Sequence, residues 1–154
     1  MNPGVRAQYV PLADLVLLKT GPFGSALHKA DYVTGGVPVV NPMHISNGRI
    51  VPGERARVGQ DDLQRLVEFR LLPGDVVLGR RGEMGRCAVV GLREAGWLCG
   101  TGSLILRPRG ALEPRYLQRF LSSPAVVRRL EGKSVGSTMV NLNQGILRGL
   151  EIPI

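Results

Sequence analysis

The sequence predicts an α+β fold built from short strands and several short helices, and three features carry that expectation. Glycine (21) and proline (11) are frequent while only 5% of residues are aromatic, a balance that suits strands joined by turns better than a helical bundle. Apolar residues come in short runs, Leu15-Val16-Leu17-Leu18 and Val37-Pro38-Val39-Val40 among them, too brief for helices. Two adjoining stretches beginning at Pro114 and Pro124 instead place their apolar residues at helical spacing. At 154 residues, 44% of them hydrophobic, the chain is about one domain long and can bury a continuous core.

Taken in order, Tyr9 to Thr20 opens as a turn at Pro11 and Asp14 and continues as the buried strand Leu15–Leu18. Gly21-Pro22 and Gly24-Ser25 make the following segment a loop, in which Lys19, Ser25, His28 and Lys29 are donors that suit phosphate. A structural loop with incidental polar residues fits that pattern equally. Val37–Val40 reads as a core or edge strand, with Pro38 favouring the edge, and Asn41-Pro42 as a turn. Ser46-Asn47-Gly48-Arg49 has the Asn-Gly signature of a tight hairpin. Val58 to Arg70 reads as one short helix capped by Asp61-Asp62, with Leu63, Leu66 and Val67 inward.

Pro73-Gly74 turns the chain into a buried strand, Asp75–Leu78, whose returning partner is Arg86–Val90. Between them Arg80, Arg81 and Arg86 share eight residues with Gly79, Gly82 and Gly85. The glycines give a mobile backbone able to approach a surface, and guanidinium forks fit phosphate oxygens and the guanine edge. A plain solvated hairpin tip has the same composition. Trp97 to Pro108 reads as a strand, a turn at Gly100-Thr101-Gly102-Ser103, and the strand Leu104–Arg107. That glycine cluster enters a strand rather than a helix, so it is not a phosphate-binding loop.

The first helix, Pro114–Leu121, turns Tyr116, Leu117, Phe120 and Leu121 to one face and Arg115 and Arg119 to the other. Ser123-Pro124 opens the second, with Val126, Val127 and Leu130 inward and Arg128-Arg129 outward. Gly132-Lys133-Ser134 matches the tail of a P-loop, but Val127 stands where the first glycine of that motif belongs. The hydroxyl- and amide-rich run Ser134 to Asn143 ends at an Asn helix cap. Lys133, Ser134, Ser137, Thr138, Asn141 and Asn143 are its candidate contacts to phosphates or base edges. A short strand, Leu150–Ile154, closes the chain.

Charge narrows the choice of partner. The net charge is +8 and the pI about 10.5, with 17 arginines against 3 lysines. Residues 1–79 carry eight basic and seven acidic side chains, residues 80–154 twelve and five, so the second half builds a basic face. Its natural partner is an anionic polymer, held through counterion release. No apolar run is long enough to cross a membrane, and the start lacks the pattern of a signal peptide, which points to the cytoplasm. Cys87 and Cys99 read as buried apolar residues, and with His28 and His44 the only histidines a zinc site is not expected. Asn41-Pro42-Met43-His44 lacks the second proline and the aromatic of an amino-methyltransferase loop, and no glycine loop for S-adenosylmethionine or acidic nuclease cluster is present. No catalytic residue, metal or cofactor is therefore expected.

Four stretches together resemble the target recognition domain of type I restriction-modification specificity subunits. They are Thr20–Ser25 with Gly36–Asn41; Leu72–Leu78 with Arg80-Arg81-Gly82 and Met84-Gly85-Arg86; Tyr116 to Ser123; and Gly136-Ser137-Thr138 with Asn141-Leu142, leading to Leu150–Pro153. The resemblance implies a mixed, strongly curved sheet, a single recognition domain over residues 1–154, and reading of double-stranded DNA without chemistry. Its implied partners are adenine methyltransferase subunits, a restriction subunit, and a second recognition domain or homodimer mate. The long spacer helix of the family would begin after Ile154. A basic RNA-binding or ribosome-associated domain shares the charge but ordinarily brings aromatic stacking platforms. A small DNA-modifying enzyme or nuclease would need a metal or cofactor cluster.

Overall fold

A computed structural model of the chain describes residues 4–133, the Lys133 side chain apart, and 142–154. The chain begins with β1 (Tyr9–Pro11), α1 (Leu12–Leu15) and β2 (Val16–Thr20), then forms β3 (Val37–Val40), β4 (Ile45–Ser46), β5 (Arg49–Ile50), β6 (Arg57–Val58) and α2 (Gln60–Arg65). It continues with β7 (Val76–Gly79), β8 (Cys87–Val89), β9 (Leu98–Cys99) and β10 (Ser103–Pro108). Last come α3 (Pro114–Ser122), α4 (Pro124–Lys133), α5 (Gln144–Arg148) and β11 (Glu151–Pro153). The fold is thus mixed α+β, with its strands divided among several small sheets.

The spine is β10, which pairs antiparallel with β2 on one side and β7 on the other, β8 completing the order β2-β10-β7-β8. Both faces of this sheet are covered, which explains why its strands read as continuous apolar runs. Alternation along β10 and β7 sorts side chains between two cores. Leu104, Leu106, Val76 and Leu78 meet Leu117, Leu121 and Leu130 of the helices, while Ile105, Val77 and Ala88 face Val40, Ile45 and Cys99. The same alternation in β3 and β9 gives Val39 and Leu98 to a third cluster with Leu27, Leu63 and Leu66. The layers therefore run helices, four-stranded sheet, three-stranded sheet, α2. Full burial of each such Leu or Ile contributes about 1.5–3 kcal/mol.

Several expectations are corrected. β3 lies between β6 and β9, not at an edge. Pro38 is tolerated because β6 pairs with the first half of β3, at Val37 and Pro38, and the parallel ladder to β9 starts only at Val39. The segment Val58–Arg70 is not one helix: it ends β6, forms α2, and finishes as a 3-10 turn at Val67–Phe69. Gly59 is the N-cap and makes no side-chain cap bond. Asp61 and Asp62 sit in the first turn, where they favour the helix dipole, and Asp62 also pairs with Arg65 at 2.9 Å. The Asn47-Gly48 hairpin forms as expected, with φ of 51° and 73°. β1, read from the sequence as a turn, pairs antiparallel with β11.

Candidate nucleic-acid interface

Four chain segments cross near one end of β10, and glycines let them do so. The Gly21 amide donates to the Ser103 carbonyl at 2.9 Å, and the Gly100 amide to the Val40 carbonyl at 2.9 Å. A Cβ on Gly21 would lie 1.9 Å from the Gly100 oxygen, and one on Gly100 would lie 2.0 Å from Asn41 Oδ1. No side chain fits at either position. Pro42 packs over Gly79 and Gly102, and the Arg80 amide donates to the Gly102 carbonyl at 2.9 Å. The loops that follow β2, β3, β7 and β9 are thereby fixed against one another.

Above this crossing lies an open groove of about 640 Å³. Its lining includes Lys29 from the first loop, Asn41 and Met43 from the turn after β3, Arg81 and Arg86 from the β7–β8 loop, and Thr101. Lys29 and Arg81 are exposed and have no ion pair among the described residues. Met43 is 76% exposed although its backbone is held firmly. The Asn41 amide donates to His44 Nδ1 at 3.0 Å, and the His44 amide to the Asn41 carbonyl at 2.9 Å. Tyr32 completes this wall, 3.5 Å from the Asn41 side-chain amide.

The remaining arginines of the hairpin serve the wall itself. Arg80 Nε donates to the Thr101 carbonyl at 3.1 Å, and burial together with the neighbouring Arg81 charge lowers its pKa. Arg86 is gripped by Glu83, through Nε at 3.0 Å and Nη2 at 2.9 Å, and reaches the Pro42 carbonyl. The glycines likewise do internal work: Gly79 lies beneath Pro42, and a Cβ on Gly85 would meet Val127 at 2.5 Å. Gly82, between them, is exposed with open space about it and a φ of 75°.

Ser25 is exposed on the turn between Gly24 and Leu27, both of which line the groove. His28 is exposed just before Lys29, its backbone amide bound to Asp31 Oδ2 at 2.8 Å. Lys19 stands apart, on β2 rather than in the loop, with its ammonium 3.1 Å from Glu68 and over the Phe69 ring. Asn143 caps α5 by accepting the Ile146 amide at 2.9 Å. The Leu142 amide donates to the Arg80 carbonyl at 2.7 Å, so the residues entering α5 start beside the hairpin. The Lys133 side chain, Ser134, Ser137, Thr138 and Asn141 lie outside the described residues. Asn41, Met43 and Tyr32 were not among the expected contacts; the signal for the first two was a polar Asn-Pro turn directly after a core strand.

Three titratable groups behind these walls are buried. Burial pushes the Cys87 thiol up to about 12, raises that of Cys99 as well, and lowers the His44 imidazole. Among the described residues no three His, Cys, Asp or Glu side chains could hold a metal ion together, and no helix is long and apolar enough to cross a membrane.

Comparison with known proteins agrees with the fold. The S subunit of a type I restriction-modification system from M. genitalium matches with a TM-score of 0.66 at 18% identity, over 100% of this chain and 36% of that one. The HsdS subunit from Thermoanaerobacter tengcongensis matches with a TM-score of 0.70 at 18% identity, over 100% and 34%. The type IIG restriction endonuclease BpuSI matches at 0.67 and 12% identity, over 95% and 24%. The chain thus spans about a third of the length of the two subunits. No curated protein matches it. The type I restriction modification DNA specificity domain matches residues 5–154, nearly the entire chain and every wall of the groove, and the chain belongs to that family.

Proposed function

We propose that this chain reads double-stranded DNA as the specificity element of a type I restriction-modification assembly, with methylation and cleavage carried by partner subunits in the cytoplasm. The observation that carries the reading is the convergence of the Gly24–Lys29 loop, the Asn41–Met43 turn and the β7–β8 loop on one groove lined by Lys29 and Arg81, which have no ion pair among the described residues. Exposed cations on a fixed rim release counterions from a duplex, and a guanidinium at a loop tip fits the O6 and N7 edge of guanine bidentately. Met43 offers an apolar surface of the kind that meets a thymine methyl. Ser25 and His28 add donors beside Lys29, and Lys133, Ser134, Ser137, Thr138, Asn141 and Asn143 are proposed to extend the contact from the segment that ends beside Arg80. The partners are adenine methyltransferase subunits, a restriction subunit, and a second recognition domain or homodimer mate supplying the other half of a split site.

Binding of the chain to duplexes of different sequence at several salt concentrations tests this reading. Arg81→Ala should cost about 1–3 kcal/mol and relax preference at one base pair if Arg81 reads a base. Equal affinity for single-stranded RNA and duplex DNA, or no effect of Arg81, would overturn it.

A further inference from the structure

A second groove, of about 610 Å³, lies across the β7–β8 loop from the first. Glu83 and Arg86 line both, so this segment is their common wall. The floor is apolar, with Ile45, Met84 and Val127, while the rims carry Arg49 on the β4–β5 hairpin and Arg115 and Arg119 on α3. We propose that this groove holds the sugar–phosphate backbone of the duplex whose bases face the first groove, an assignment that rests on the DNA-reading function above.

Three observations support it. Arg49, Arg115 and Arg119 are exposed, and none has an ion pair among the described residues. Among the described residues the one acid on the rim is Glu83, and it is already bound to Arg86 at 2.9 Å. Three cations therefore face one space without compensation, an arrangement that costs free energy until an anion arrives. The rims are also preorganised. Leu117 and Leu121 are fully buried and anchor α3, and Gln118 Nε2 donates to the Cys87 carbonyl at 3.3 Å, bridging α3 to β8 beside the floor. Arg115 and Arg119, four residues apart, project from the same helix face roughly 5–6 Å from each other at Cβ. A row of guanidiniums matches a polymer that presents phosphates at regular intervals, and it reads no sequence. On this assignment the first groove specifies and the second sets register.

The test is the double variant Arg115→Gln/Arg119→Gln in the whole chain, with Arg128→Gln/Arg129→Gln on α4 as a control of equal charge change. Arg128 and Arg129 are exposed but line neither groove. Binding is measured on cognate and scrambled duplexes over a range of salt. The groove variant should flatten the slope of log K against log salt by about 2 and weaken both duplexes equally. The control should change the slope by less than about 1. Arg49→Gln, which leaves α3 intact, should remove about 1, and Arg115→Lys/Arg119→Lys should keep the wild-type slope. An unchanged slope in a folded groove variant that still responds to Arg81→Ala overturns the second groove while leaving the function standing. A loss confined to the cognate duplex, an equal effect of the control, or loss of methyltransferase assembly with DNA binding intact also overturns it. A wild-type chain that binds no DNA defeats the function itself.

Discussion

Asp75 is only 1% exposed, and its carboxylate organises the turn that launches β7. It accepts Arg107 Nε at 2.8 Å and Nη2 at 2.9 Å, a bidentate pair across the sheet, and the Leu72 amide at 2.8 Å. Removing one partner of a buried pair costs about 3–5 kcal/mol, because the other charge is stranded. Arg107 is 31% exposed and can turn toward water, which sets the expectation for Asp75→Ala at the low end, about 3 kcal/mol. At about 2–4 °C per kcal/mol for a chain of this size, Tm should fall by about 6–12 °C. Asp75→Asn keeps one acceptor oxygen for the Leu72 amide but loses the charge and turns an NH2 donor toward the Arg107 guanidinium, so it too should destabilise the fold. Urea and thermal unfolding of both variants, and of each combined with Arg107→Ala, measure the pair directly. A cost below about 1 kcal/mol, or additive effects of the two alanine substitutions, would refute the reasoning.

Glu83→Gln frees the Arg86 guanidinium between the two grooves and should raise affinity for any duplex, with a salt slope steeper by about 1; weaker binding would contradict the wall assignment. Burial holds the His44 imidazole below the usual 6.5, so the unfolded chain takes up a proton before the folded one does. Stability from this group is complete above about pH 6.5 and declines as pH falls toward the folded pKa. A wild-type chain and His44→Asn showing identical Tm-versus-pH curves would count against it. With the Cys87 thiol pushed up to about 12 and the Cys99 thiol, buried in a different core, raised as well, neither should react with a disulfide reagent at pH 8 until urea unfolds the chain.

Much of the architecture was readable from residue patterns alone. The β7–β8 pair, the Asn-Gly hairpin, the tandem helices and the Asn143 cap each rest on local chemistry, namely turn residues, periodicity or a side chain that satisfies its own backbone. What escaped was set by distant partners. Pro38 argued for an edge because a sequence cannot reveal that two neighbours divide one strand between them, each taking half. Sequence order groups Lys19 with the loop after it, yet Glu68, 49 positions away, holds its ammonium at 3.1 Å. The three hairpin arginines look alike in sequence; contacts with Thr101, Glu83 and Pro42 distinguish a strut, a braced wall and an exposed tip.

The β1–β11 ladder brings the ends of the folded unit together. The Gln8 amide donates to the Ile154 carbonyl at 3.0 Å, the Ile154 amide returns the bond at 2.8 Å, and the Tyr116 hydroxyl donates to the Pro153 carbonyl. Polypeptide joined at either end would enter and leave side by side, so the unit can be spliced into a host at a single point without stretching it. A permuted chain that links Ile154 to the residues before Tyr9 and opens between Asn47 and Gly48 should keep the same three cores.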